Sequence, residues 1–151
     1  MPPTDATENR ENREILDAFG QFAKMFGAIS QGIAAGFGIA PSDLLALFKL
    51  EEGSATMKEL ASRMGCDASF VTAVADALER HGLARREPSE RDRRVKNLVL
   101  TPEGIAAKER LIRELAARMP WCTRLDDQER HCFLSLLKKM TGTDPADNAA
   151  E

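Results

Sequence analysis

MKELASRMGCDASFVTAVADALERHGLARREPSERDRRVKNLVLTPEG, residues Met57–Gly104, is the stretch on which the reading of this chain turns. Thr56, one residue upstream, and Glu59 stand at the spacing at which a hydroxyl and a carboxylate reciprocally satisfy the free N–H groups of a helix start. Met57, Leu60, Ala61 and Met64 follow at i, i+3, i+4 and i+7, one face of a helix, and Gly65 supplies the left-handed residue that ends it. Asp67 then caps a second helix, whose Val71, Val74, Ala75 and Leu78 repeat the apolar spacing until Gly82. Two short helices joined by so tight a turn form a helix-turn-helix, whose second helix shows its solvent face to the major groove of DNA.

A hairpin comes next along the chain. Leu83–Glu87 and Val95–Leu100 read as strands, and the tip between them is Pro88, Ser89, Glu90, Arg91, Asp92, Arg93 and Arg94. From Arg80 to Lys96 seven bases stand against three acids, although the whole chain carries a formal charge of -3. A basic β-hairpin placed directly after a helix-turn-helix is a wing. Charge is thus concentrated where a duplex would lie, within a chain whose average charge alone suggests no nucleic-acid partner.

Outward from this unit the sequence is helical. Ile15, Phe19, Phe22, Phe26, Ile29 and Ile33 form a stripe in steps of four and three, a long first helix that the glycine-rich stretch Gly32–Gly38 ends or bends. Gly20 and Gly27, one heptad apart within it, each cost about 1 kcal/mol relative to alanine unless close helix contact compensates. Pro41 opens a short helix that turns Leu44, Leu45, Leu47 and Phe48 inward and stops near Gly53. Thr101, Pro102 and Glu103 start another helix bearing Ile105, Ile112, Leu115 and Met119. The last begins at about Asp126 and runs to Gly142, again with a carboxylate, Glu129, three residues on. The expected organisation is a tail over 1–9, an N-terminal dimerisation helix over 10–40 and a winged helix-turn-helix domain over 41–102. C-terminal dimerisation helices over 103–142 and a tail over 143–151 complete it. The fold class is mostly α with a small β-hairpin wing. The flanking stripes exceed what a winged domain can cover, so a homodimer is expected.

Composition excludes other classes. With 43% hydrophobic and 30% charged residues the 151-residue chain is of ordinary globular make-up. Cys66, Cys122 and Cys132 make neither an even disulfide set nor a Cys-x-x-Cys pair, which points to a reducing, cytoplasmic setting. The uncharged run Met25–Ser42 carries four glycines and a proline and is a poor bilayer span, so no membrane is expected. The two histidines, His81 and His131, lack metal-ligand spacing, and no phosphate loop or nucleophile motif occurs. No catalytic residue, metal or cofactor is expected.

The order of parts resembles the MarR family of transcriptional regulators across roughly Glu11–Thr141. The resemblance is most specific over Met57–Gly104, where Asp92, Arg93 and Arg94 match the family's Asp-x-Arg wing motif. RLDDQERHCFLSLLKKM, Arg124–Met140, is similar to its terminal dimerisation helix. The resemblance implies a dimer built by interleaving the first and last two helices, with double-stranded DNA as partner, and a small aromatic effector between the dimer helices and the winged domain. Phe19, Phe22, Phe26, Phe37 and Trp121 offer an aromatic lining for it, but a stripe at helical spacing reads more readily as core.

On this reading Ala68, Ser69, Phe70, Thr72 and Ala73 face the major groove, since they remain when Val71, Val74, Ala75 and Leu78 turn inward. Ser69 and Thr72 offer hydrogen bonds, whereas Phe70 and Ala73 offer apolar contact only. Family members commonly carry a polar residue where Phe70 stands and an arginine where Ala73 stands. Arg94 matches the wing arginine and is assigned to the minor groove, with Arg91, Arg93 and Lys96 as further basic contacts and Asp92 as the pair that directs the arginine. Two alternatives stand beside a repressor: a winged-helix module that binds protein, and a thiol sensor using Cys66, which lies in the turn before the recognition helix, although the first 65 residues contain no cysteine and so lack the first-helix position that thiol-sensing relatives use.

Overall fold

The computed structural model describes residues 6–50, 54–90 and 92–143. The elements in chain order are α1 (Ala6–Phe37), α2 (Pro41–Lys49), β1 (Ser54–Thr56), α3 (Met57–Met64) and α4 (Ala68–Arg80), then β2 (Ala84–Pro88), β3 (Lys96–Leu100), α5 (Pro102–Arg118), α6 (Pro120–Thr123) and α7 (Asp127–Thr141). The chain is mostly helical, with one small antiparallel sheet in the order β1-β3-β2. It divides into two compact units, Met1–Ile112 and Arg113–Glu151.

In the first unit the helix-turn-helix forms as its spacing requires. Thr56 Oγ1 accepts from the Glu59 N–H at 3.1 Å while Glu59 Oε2 accepts from the Thr56 N–H at 2.7 Å. Gly65 closes α3 at φ 66°, a conformation that would strain any side chain. Asp67 occupies the N-cap of α4 with extended backbone, but its carboxylate makes no cap bond, unlike the expectation. Val71, Val74, Ala75 and Leu78 are buried, together with Leu60 and Ala61 of α3 and Leu98 and Leu100 of β3. The apolar face of α4 is therefore spent on the core.

The α2 helix departs from its expected orientation. Leu44 and Leu47 are buried, but Leu45 and Phe48 are exposed, and Asp43 and Ala46 take the inward positions. Asp43 is tolerated there because its carboxylate caps the helix, accepting from the Ala40 N–H at 3.2 Å. The helix ends at Lys49; Gly53, the expected stop, lies outside the described residues.

The sheet has three strands rather than the expected two. β1 pairs with β3 in the register Ser54↔Val99, Ala55↔Leu98, Thr56↔Asn97, and β2 pairs with β3 from Ala84↔Leu100 to Pro88↔Lys96. Three residues, Ser-Ala-Thr, carry too little pattern to announce a strand. Yet β1 anchors the base of the wing directly to the start of α3.

The first helix starts earlier than expected and ends, as expected, within the glycine-rich stretch. It begins at Ala6, inside the stretch read as a tail, and passes through Gly32 and Gly36 before Gly38, at φ 68°, stops it. The remaining tail residues, 1–5 and 144–151, lie outside the described residues. The start of α5 is fastened to the end of α4: Thr101 Oγ1 donates to Gly82 O at 2.6 Å and accepts from the Gly104 N–H at 3.0 Å. Farther along, Lys108 donates to the Leu50 carbonyl, and Arg110 donates to Gly36 O at 3.3 Å and lies over the Phe37 ring at 4.4 Å.

In the second unit α5 ends and Pro120 starts the short α6, which the sequence reading did not separate. Asp126 and Glu129 form the expected reciprocal cap of α7, at 2.8 and 3.0 Å, and Gly142 ends that helix at φ 64°. Trp121 stacks on Phe133 with ring centroids 6.4 Å apart. Leu134, Leu136, Leu137 and Met140 are exposed. Among the described residues no single helix is long and apolar enough to cross a membrane.

Candidate nucleic-acid interface

With its apolar face in the core, α4 has one outward arc. Ala68, Ser69, Phe70, Thr72 and Ala73 are all exposed on its first turns, with Asp76 and Arg80 farther along. Thr72 Oγ1 donates to the Ala68 carbonyl at 3.1 Å, so its proton is already used within the helix. Phe70 is 48% exposed, unusual for a large aromatic side chain on a soluble surface.

The hairpin is closed by backbone bonds rather than by charge. Ser89 N–H donates to Val95 O at 2.8 Å, and Val95 N–H to Asp92 O at 2.9 Å. Asp92 was expected to direct an arginine by ion pairing; instead its Oδ1 accepts from the Arg94 backbone N–H at 2.9 Å. Among the described residues it forms no ion pair with Arg93 or Arg94. The short aspartate side chain reaches its own turn more readily than it reaches a guanidinium, and so it shapes the tip. Arg93, Arg94 and Lys96 are exposed; Arg91 lies outside the described residues.

Glu87, Glu90 and Asp92 line a cleft that runs along the hairpin with Glu59, Ser54 and Asn97, and Glu87 also pairs with Arg85 at 2.5 Å. Asn97 Nδ2 donates to Ser54 Oγ at 3.1 Å across β3 and β1.

One residue missed by the sequence reading ties wing to helix. Arg86 on β2 points at α4, where its guanidinium bonds Asp76 Oδ1 at 2.7 Å, pairs with Glu79 and donates to the Thr72 carbonyl at 3.3 Å. Its backbone N–H donates to Glu79 Oε1 at 2.8 Å. Partial burial pulls the guanidinium pKa down, but the hydrogen bond it donates to Asp76 and the attraction of both carboxylates outweigh it and hold the pKa above the ordinary arginine value. The signal was present as two acids, Asp76 and Glu79, on one helix face just before a basic strand.

Other candidate chemistry is not brought together. His81 and His131 are exposed, Cys66 and Cys122 are half-buried and Cys132 is exposed. Among the described residues no three His, Cys, Asp or Glu side chains are placed to hold a metal ion. Of the aromatic residues considered for an effector, Phe22 stacks on Phe26 at 6.4 Å and Phe37 lies beneath Arg110.

A helix-turn-helix followed by an anchored, arginine-tipped wing matches known proteins. The model of the MarR family matches residues 39–96. A putative transcriptional regulatory protein for the hcr operon of Thauera aromatica is 30% identical over 129 residues, 85% of this chain and 74% of that one. The chain belongs to the MarR family. It is thereby a DNA-binding transcriptional regulator. The HTH-type transcriptional repressor MdtR of Bacillus subtilis (strain 168) is 43% identical over 68 residues, an alignment spanning 44% of each chain and so less than half of that repressor. Among solved MarR-like folds, the YusO protein from Bacillus subtilis superposes with a TM-score of 0.65 at 27% identity, covering 93% of this chain and 100% of that one. Reduced AbfR bound to DNA shares the fold at 20% identity and a TM-score of 0.69, over 91% of this chain and 97% of that one. CouR from Rhodococcus jostii RHA1 bound to p-coumaroyl-CoA does so at 21% and 0.69, over 83% and 88%.

Proposed function

We propose that this MarR-type chain is a cytoplasmic, homodimeric repressor that binds specific double-stranded DNA sites, with α4 in the major groove and the wing tip in the minor groove. The observation that carries the reading is the exposed pair Arg93–Arg94 at the hairpin tip, neither in an ion pair among the described residues, held on a sheet that Arg86 fastens to α4. A rigid hairpin sets the distance between two groove contacts, and that distance is what lets phosphate contacts fix register while the helix reads bases. The homodimer is supported by the first helix: Ile15, Leu16, Phe19 and Phe26 are exposed, whereas Ile33 and Ala34 of the same helix are buried. Apolar side chains left exposed in a row along one helix are the kind of surface that marks a protein interface. A small aromatic effector is a further part of the reading, supported by CouR, which is bound to p-coumaroyl-CoA in its structure.

The test is Arg94→Ala. Removing one groove cation lowers operator affinity about tenfold and the salt slope by about one, because each neutralised phosphate releases counterions. Equal affinity of variant and parent across a salt titration would remove the wing from the interface. Failure of the parent chain to retain any duplex from a random pool at physiological salt would favour a protein-binding module instead.

A further inference from the structure

We propose that Phe70 is the specificity-determining residue of α4, and that with Ala68, Ala73 and Thr72 it reads the 5-methyl groups of thymines along the major groove. The inference deepens the function proposed above and rests on it. Major-groove edges are told apart by donors, acceptors and one apolar mark, the thymine methyl. The usual donors and acceptors for bases are Arg, Lys, Asn, Gln, Glu and Asp, and none stands among residues 68–73. Of the two hydroxyls there, Thr72 gives its proton to the Ala68 carbonyl, leaving its methyl as the part with no hydrogen-bonding task. Among the described residues of that arc, Ser69 alone keeps a hydroxyl proton not already donated within the helix. Farther along the same helix, Asp76 is held by Arg86 and so is withdrawn from base contact.

Over the first turns, apart from the Ser69 hydroxyl, the arc is apolar: two alanine methyls, a threonine methyl and a half-exposed phenyl ring. Left in water such an arc gains nothing; against a run of thymine methyls it buries apolar surface on both sides. A protein partner is the less favoured occupant, because the arc adjoins a wing whose exposed Arg93, Arg94 and Lys96 complement a phosphate backbone. The resulting specificity is for thymine-rich steps, with little discrimination where a hydrogen-bond pattern alone would distinguish the bases.

The experiment starts from operators selected by the full-length protein from a random duplex pool. Each thymine of a half-site is replaced singly by deoxyuridine, which removes the methyl and leaves every hydrogen-bonding group in place. The expected result is a loss of about fourfold at two or more positions per half-site, the value for one methyl-sized apolar group of ~0.8 kcal/mol. Phe70→Ser binds thymine and uracil forms of the most sensitive position equally, and Phe70→Leu, which keeps an apolar side chain, retains the preference. Because Phe70 is half exposed, both variants keep the parent's melting temperature, which separates lost reading from lost fold. Equal binding of thymine and uracil operators by the parent chain overturns the inference while leaving the DNA-binding function standing. So does a Phe70→Ser protein with undiminished uracil sensitivity. A pool from which nothing is retained overturns the function, and the inference with it.

Discussion

Gly104 shows how much a single missing side chain can hold in place. A Cβ built there would lie 1.8 Å from the Leu83 carbonyl oxygen and 3.3 Å from Leu100. That carbonyl cannot yield, because it accepts from the Thr101 N–H at 3.1 Å. Gly104→Ala therefore forces α5 away from the end of α4, and overpacking of this kind costs about 1–3 kcal/mol. Chemical denaturation measures it; an alanine variant as stable as the parent would mean that the α5 start is not packed as described. Gly20 and Gly27 are the opposite case, with nothing within 4 Å of an added Cβ. The helix penalty they carry has no compensation among the described residues.

The joint between β2 and α4 is the part of the fold most directly tied to function. Arg86 satisfies two carboxylates on α4, the helix that the proposed function puts in the major groove, so its removal acts twice. Stability falls by about 1–2 kcal/mol, less than a buried charged hydrogen bond would give, since Asp76 is largely exposed and screened. Operator affinity falls as well, because Asp76 and Glu79 are left with uncompensated negative charge beside the phosphates. In an electrophoretic mobility titration Arg86→Met weakens binding by more than the stability loss explains, and Asp76→Asn added to it restores part of that loss. A double variant no better than the single one would show that Arg86 acts on folding alone.

The proposed dimer draws on apolar faces that are exposed on a single chain. Along α1 the stripe passes from buried at Ile33, 2% exposed, to open at Phe19, 66% exposed. In the second unit Leu134, Leu136, Leu137 and Met140 of α7 are open in the same way. Burying each large side chain of such a face contributes about 1.5–3 kcal/mol, enough together to hold a stable dimer against the cost of association. Phe19→Glu places a charge in that face. The variant sediments at the mass of one chain and loses operator affinity, since a single wing-and-helix pair has half the contacts. A variant that still sediments as a dimer would move the interface elsewhere.

Local pattern was enough for much of this molecule. The Thr56/Glu59 and Asp126/Glu129 caps, the glycine stops at Gly65, Gly82 and Gly142, the inward residues of α4 and the basic hairpin all depend on neighbours within a few positions, and spacing encodes such neighbours. The exposure of Ala68, Ser69, Phe70, Thr72 and Ala73 comes from the same arithmetic, since a helix that buries one face must show the other. Long-range contact settled the rest. β1 exists because β3 offers it a partner some forty residues away, and three residues hold no periodicity to reveal it. Leu45 and Phe48 lie outward because the core had room for Ala46 and a capped Asp43. Arg86 and Asp92 became a clamp and a turn former through contacts that charge counting treats as interchangeable. A one-dimensional pattern records which side chains prefer to leave water, whereas which of them meet depends on packing that spacing does not carry.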